Sequence, residues 1–166
     1  MEINIYIANL GKYNEGELVG DWFTLPVDMG LVAEKIGLNH EYEEFAIHDY
    51  EAPFPIHEYE NISKLNEIAE KIQEINDAMI LKELKSLAEW IFSGDIRELV
   101  DKVDDFTYYD CSSERELGEY FITETGLISE IPTNLQSYFD YESYGRDLVL
   151  GGQFLETTSG YFEYIG

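Results

Sequence analysis

Residues Ile3-Asn4-Ile5-Tyr6-Ile7-Ala8 place an isoleucine at every second position. A strand turns successive side chains to opposite faces, so this alternation predicts a half-buried β-strand at the start of the chain. Beyond it, Gly11 to Gly16 reads as a turn and Gly20-Asp21-Trp22-Phe23-Thr24-Leu25 as a second strand. Pro26 and Asp28 then open a short helix carrying Leu31, Val32 and Ile36, with Gly37 as its stop signal. Phe45-Ala46-Ile47-His48-Asp49-Tyr50 is a third strand candidate, and Pro53 and Pro55 break the chain after it. Residues 1–61 thus read as a mixed strand and helix module.

At Ile62 the period changes from two to helical. Leu65, Ile68, Ala69, Ile72 and Ile75 form one apolar stripe, with Ser63 as the expected N-cap. Leu81, Leu84, Ala88 and Ile91 repeat the stripe up to Ser93-Gly94, and Asp95-Ile96-Arg97-Glu98 begins a third helix with Leu99 and Val103. Residues 62–103 are therefore expected to form a small helical module. In the last part, Ser113-Glu114-Arg115-Glu116 is a capping box before Leu117, Tyr120 and Phe121, and Gly126 ends that helix. Pro132, Leu135 and Tyr138 predict a helical turn, and Asp140 caps a helix carrying Tyr144 and Leu148. Gln153–Thr157 and Tyr161–Ile165 flank Thr158-Ser159-Gly160 as a terminal hairpin. The expected fold class is α+β, in three small modules of residues 1–61, 62–103 and 104–166.

The charge is unusual. The 166 residues hold 35 acidic and 10 Lys or Arg side chains, a formal net charge of -25. A nucleic-acid binder and an anionic-membrane binder both need a basic patch, so those classes are disfavoured. Disorder is disfavoured too, because 45% of residues are hydrophobic and 14% aromatic. Across the three modules the acid and base counts are 13 and 2, 9 and 6, and 13 and 2, giving -11, -3 and -11. The acidity is concentrated on two flanks. A single cysteine, Cys111, allows no internal disulfide, and neither a signal peptide nor an apolar run of about 20 residues is seen. A cytoplasmic protein is expected.

Chemistry of a catalytic kind is hard to find. His40, His48, His57 and Cys111 are too scattered for a zinc pattern. His48-Asp49 are strand neighbours and point to opposite faces. Glu83-Leu84-Lys85 fits a loose nuclease-like pattern but lies on an amphipathic helix, and a solvated helix face is the better expectation. Asp104-Asp105 and Asp110 lack a calcium-loop pattern, and no phosphate-binding glycine loop is present. The sequence reads as a non-enzyme with no cofactor and no metal.

What remains is the charge, with aromatics interleaved through it, as in Asp49-Tyr50-Glu51, Glu58-Tyr59-Glu60, Tyr108-Tyr109-Asp110 and Asp140-Tyr141-Glu142. Duplex DNA carries one charge per roughly 1.7 Å of axis, so this net charge equals that on about 42 Å, or about 12 base pairs. A compact chain of this length has a diameter of about 40 Å. The charge per unit length is thus compatible with mimicry of B-DNA, although many acidic proteins approach it.

The residues themselves say more. Ile5-Tyr6-Ile7-Ala8-Asn9-Leu10-Gly11-Lys12-Tyr13-Asn14-Glu15-Gly16, with Gly20-Asp21-Trp22, resembles the start of the ArdA antirestriction family. The likeness continues through Glu44-Phe45-Ala46-Ile47-His48-Asp49-Tyr50-Glu51, Glu58-Tyr59-Glu60 and Leu65-Asn66-Glu67-Ile68-Ala69. It returns in Glu124-Thr125-Gly126-Leu127-Ile128-Ser129-Glu130-Ile131-Pro132 and in Tyr138 to Leu148. The segments 52–57 and 76–94 match less well. This resemblance implies an inhibitor of type I restriction–modification enzymes, carried on mobile elements, that occupies the DNA groove of the methyltransferase core as a DNA mimic. It also implies an elongated, modular homodimer, and it places the family's antirestriction motif around Leu117 to Pro132. The competing expectation is an acidic binding module for another basic DNA-binding protein of the host.

On the mimicry reading, carboxylates stand in for phosphates. The candidates on the first flank are Asp28, Glu41, Glu43, Glu44, Asp49 and Glu51. On the second they are Asp104, Asp105, Asp110, Glu114, Glu119, Asp140, Glu142 and Asp147. Tyr120, Phe121, Leu127, Ile128 and Ile131 are candidates for packing or dimer contact, and the remaining Tyr and Phe for a rigid support beneath the charges.

Overall fold

A computed structural model describes residues 1–166. The chain is mixed α and β, with seven α-helices and two three-stranded sheets. It divides into two compact units, one of residues 1–77 with 95–101 and the other of residues 78–94 with 102–166. The helical segment expected at 62–103 is therefore shared between them. The first unit holds 20 acidic and 5 basic side chains and the second 15 and 5, so they carry -15 and -10.

In the first unit, β1 (Asn4–Asn9) lies between β2 (Gly20–Thr24) and β3 (Phe45–Glu51), antiparallel to both. Ile3, Ile5 and Ile7 are buried, as their spacing predicts. Helix α2 (Met29–Ile36) packs on β1 and β2 through buried Val32 and Ile36. Asp28 caps its start and Gly37, at φ 71°, closes it in the left-handed region. The register shifts between Tyr6 and Ile7, whose partners on β3 are Asp49 and Ile47, so His48 is an extra residue there. Ala46 and Ile47 are buried before the shift, while residues 48–51 are exposed after it. Helix α3 (Ile62–Glu74) buries Leu65, Ile68, Ala69 and Ile72 and packs with α5 (Ile96–Val100). Asn66 clips α3 to the segment after β2, because its side chain donates to the Val27 carbonyl (2.8 Å) and accepts from the Val27 N–H (2.9 Å).

Two expectations change in this unit. The stretch expected as a turn holds a short helix, α1 (Leu10–Asn14). Buried Asn9 caps it by accepting from the Lys12 N–H, and its amide also donates to the Ile36 and Gly37 carbonyls at the end of α2. Helix α3 is capped by Asn61, which accepts from the Lys64 N–H, and Ser63 lies inside the helix.

In the second unit, β4 (Phe106–Tyr109) and β5 (Phe154–Thr157) flank β6 (Gly160–Tyr164), all antiparallel. The β5–β6 hairpin matches the sequence reading, whereas β4 was not anticipated. Its four residues, Phe-Thr-Tyr-Tyr, are too few to show a period. Helix α4 (Ala78–Ile91) buries Ile80, Leu84, Leu87 and Ala88, so Leu81 is displaced to a half-exposed position. Val103 lies in a 3₁₀ turn, Val103–Asp105, rather than in α5. Another 3₁₀ turn, Gln136–Tyr138, occupies the expected turn after Pro132.

Helices α6 (Glu114–Glu124) and α7 (Tyr141–Leu150) pack backbone against backbone. Gly118 and Gly145 make this possible. A Cβ on Gly145 would sit 1.7 Å from the Glu114 carbonyl oxygen, and one on Gly118 would sit 2.0 Å from that of Tyr141. Only glycine fits at such a crossing. Ser113 caps α6 from the expected position, but the Glu116 carboxylate reaches Ser112, accepting from its N–H (2.7 Å) and Oγ (2.8 Å). No helix in either unit is long and apolar enough to cross a membrane.

Candidate functional site

The carboxylates singled out from the sequence are nearly all at the surface. Twelve of the fourteen are exposed, and Asp105 and Glu114 are half-buried. Asp105 alone among them has a lysine within 4 Å, Lys102 at 3.9 Å. The other ion pairs are made elsewhere, by Lys35 with Asp21, Lys71 with Asp101, Lys85 with Glu89 and Arg97 with Glu60. Thirteen candidate charges therefore face solvent or their neighbours without a cation in contact.

Several also do local structural work. Asp28 accepts from the Gly30 and Leu31 N–H groups as the cap of α2, and Asp140 accepts from the Ser143 N–H and Oγ as the cap of α7. Those contacts hold the Asp140 carboxyl below the usual carboxylate range, the Ser143 N–H contributing most. Glu51 accepts from the Asn4 amide, Asp49 from the Tyr50 N–H, and Asp110 from the Tyr108 hydroxyl. The others are Glu41, Glu43, Glu44, Asp104, Glu114, Glu119, Glu142 and Asp147, whose side chains make no hydrogen bond or ion pair.

In the first unit Glu41, Glu43 and Glu44 share the loop between α2 and β3 with Tyr42. The Tyr42 hydroxyl donates to Glu15 (2.9 Å), and that bond chiefly raises the phenol's pKa, with Glu41 and Glu17 adding to it. Glu58, and then Glu44, likewise raise that of Tyr59. Glu15, Glu17 and Glu58 thus join this carboxylate group, although the sequence reading did not select them. Glu58 lies in the aromatic–acid run Glu58-Tyr59-Glu60, whereas Glu15 and Glu17 lie in or beside the stretch whose sequence predicts a turn.

In the second unit, α6 carries Glu114 and Glu119 and α7 carries Glu142 and Asp147, with Asp140 at its cap. The spacing of these charges is fixed by the glycine crossing. Beneath them lies an aromatic layer: Tyr109 contacts Tyr120, Phe121 and Phe154 at ring separations of 5.2–5.9 Å. The Tyr109 hydroxyl donates to Glu163 (2.6 Å), and burial first, then that carboxylate, pushes its pKa far up. Burial also pushes the Tyr161 phenol up to about 12. Both hydroxyls stay protonated; that of Tyr109 serves as a donor to a carboxylate, whereas that of Tyr161 is buried without a hydrogen-bond partner.

Among the five apolar candidates, Phe121 is half-buried against Tyr109 and Phe154 and serves internal packing. Ile128 and Ile131 are half-buried, their carbonyls held together by the Gln136 amide at 2.9 and 3.0 Å. Tyr120 and Leu127 are exposed, as are Leu135 and Tyr138 nearby in sequence.

Glu83 departs from its expected solvated face. It is buried on α4, where it accepts from the hydroxyls of Ser86 (3.3 Å), Thr158 (3.1 Å) and Ser159 (2.5 Å). The Ser159 bond is the main cause that holds its carboxyl below the usual range. It ties α4 to the β5–β6 turn. No three of the His, Cys, Asp and Glu side chains converge closely enough to hold a metal ion.

No curated protein matches the chain in sequence. The family model described as "Antirestriction protein (ArdA)" matches residues 5–163, which reaches across both units and includes all fourteen candidate carboxylates. The chain belongs to the ArdA antirestriction protein family.

Proposed function

We propose that the protein inhibits type I restriction–modification enzymes by occupying the DNA-binding groove of the methyltransferase core, its carboxylates taking the place of backbone phosphates. The observation that carries this reading is the set of thirteen candidate carboxylates with no cation in contact. Net charge of this size repels itself across the surface, and at these positions no local ion pair offsets it. Phosphate contacts carry affinity and base contacts carry sequence information. A surface that copies the phosphates alone binds the enzyme whatever sequence that enzyme recognises.

Competition tests this. The purified protein is titrated into a type I methyltransferase core bound to labelled DNA, with and without its recognition sequence. Displacement from both is expected, and the protein's own affinity for the free core should fall as salt is added. Failure to displace either refutes the proposal.

We also propose that the protein acts as a homodimer. Tyr120, Leu127, Leu135 and Tyr138 leave apolar surface exposed in the second unit, and the family resemblance points the same way. Two copies carry the charge of about 85 Å of duplex, roughly 25 base pairs. Sedimentation that shows only monomer at micromolar concentration refutes this part.

A further inference from the structure

Tyr59 is the most exposed aromatic of the first unit. It is 72% exposed and meets no other ring, yet it stands between two open grooves. One, of about 410 Å³, is lined by Met29, Phe45, Asn61 and Ile62 beside Glu60. The other, of about 370 Å³, is lined by Leu10, Phe45, Glu43 and Glu44. Phe45 and Tyr59 are common to both. The first groove is mostly apolar; in the second, the apolar surface of Leu10, Phe45 and Tyr59 lies beside the Glu43 and Glu44 carboxylates, which make no hydrogen bond or ion pair.

A phosphate surrogate needs no apolar floor. A floor of this kind under unpaired carboxylates complements a side chain that is apolar along its stem and cationic at its tip. Arginine fits better than lysine, because its planar guanidinium stacks on a ring and forks onto carboxylate oxygens. The same unit already builds this constellation from its own residues. Arg97 lies over the Phe54 ring (5.7 Å) and pairs with Glu60.

We propose that the groove at Phe45 and Tyr59 docks an arginine-bearing segment of the basic protein partner, its stem over Phe45 and its guanidinium against the Tyr59 ring and the Glu43 and Glu44 carboxylates. This deepens the mimicry reading, on which the partner's basic character rests. It adds to the spread-out charge one contact that resists salt.

The test uses the full chain and the peptide acetyl-Gly-Arg-Gly-amide, with citrulline and lysine counterparts. Binding is followed through the aromatic proton resonances in about 0.3 M salt, where the Debye length is roughly 5–6 Å and distant charges are screened. Expected are shifts at Tyr59 and Phe45 with the arginine peptide, weaker shifts with lysine and none with citrulline. Tyr59→Ala weakens arginine binding about three-fold and Tyr59→Phe retains it. Tyr59 is exposed, so both variants keep the fold, which their melting curves check. Equal binding of arginine and lysine, or equal binding by Tyr59→Ala, overturns the proposal.

A second arm separates the two readings. If wild-type protein displaces DNA from the methyltransferase core and Tyr59→Ala does so equally at high salt, the groove is refuted and mimicry stands. If no DNA is displaced but arginine binding depends on Tyr59, mimicry falls and the groove stands.

Discussion

Replacing Gly145 with alanine tests the crossing that positions the charges of the second unit. The new Cβ would lie 1.7 Å from the Glu114 carbonyl oxygen, 2.6 Å from its carbon and 3.0 Å from the Gly118 nitrogen. All three are backbone atoms, so no side chain can swing aside. An ordinary contact needs about 3.4 Å, and α6 and α7 must separate by over 1 Å to reach it. Overpacking of this kind costs typically 1–3 kcal/mol, and separation strips packing along the rest of both helices. Alanine returns up to about 1 kcal/mol of helix propensity. The net expectation is a loss of about 2–3 kcal/mol. Urea unfolding followed by circular dichroism measures it, with Gly151→Ala as control, since a Cβ there meets its nearest atom at 3.3 Å. A Gly145→Ala variant as stable as wild type refutes the close crossing. With it goes the claim that this crossing sets the spacing of Glu114, Glu119, Glu142 and Asp147.

Three further outcomes are expected. Glu83→Ala leaves the hydroxyls of Ser86, Thr158 and Ser159 without their acceptor and costs about 2–3 kcal/mol by urea unfolding. The Glu83 carboxyl is depressed in the folded state, so its contribution is full above the ordinary value of 4.5 and is lost as pH falls through the folded pKa. The stability gap between wild type and Glu83→Gln therefore narrows on acidification below that value, and a gap that widens contradicts the buried carboxylate. Asn9→Ala removes the cap of α1 and two bonds to the end of α2, costing about 2–3 kcal/mol, and a neutral result in thermal unfolding counts against that junction.

The parts of the fold that were legible in the sequence had an internal period or a chemical stop signal. The alternation at Ile3, Ile5 and Ile7, the stripe from Leu65 to Ile72 and the caps at Asp28, Ser113 and Asp140 are of this kind. The misses are elements shorter than one period, or choices decided by distant partners. Helix α1 depends on Asn9, whose amide is held by carbonyls 27 and 28 residues away. Strand β4 exists because β6 offers it an edge. Glu83 is buried because a turn about 75 residues later supplies hydroxyls, which a helical wheel cannot reveal. For the candidate site, composition located the acidic segments but not which carboxylates remain unpaired. That property depends on where ten cations settle: five of them form ion pairs, and four of those five pair with acids outside the candidate set.

The central claim is that inhibition is carried by many weak carboxylate contacts rather than by one residue. Surface charge pairs contribute about 0.2–1 kcal/mol each, so single neutralisations such as Glu119→Gln or Glu43→Gln should weaken displacement of DNA less than about five-fold. Neutralising Glu41, Glu43, Glu44, Asp49 and Glu51 together, with folding verified by circular dichroism, should reduce it by a summed total of about 1–5 kcal/mol, that is, from roughly five-fold to several thousand-fold. The decisive measurement is inhibition of a type I methyltransferase across that series. A graded loss that accumulates with each charge removed is the predicted result. Complete loss from one substitution in a folded protein, or full inhibition by the fivefold variant, would contradict it.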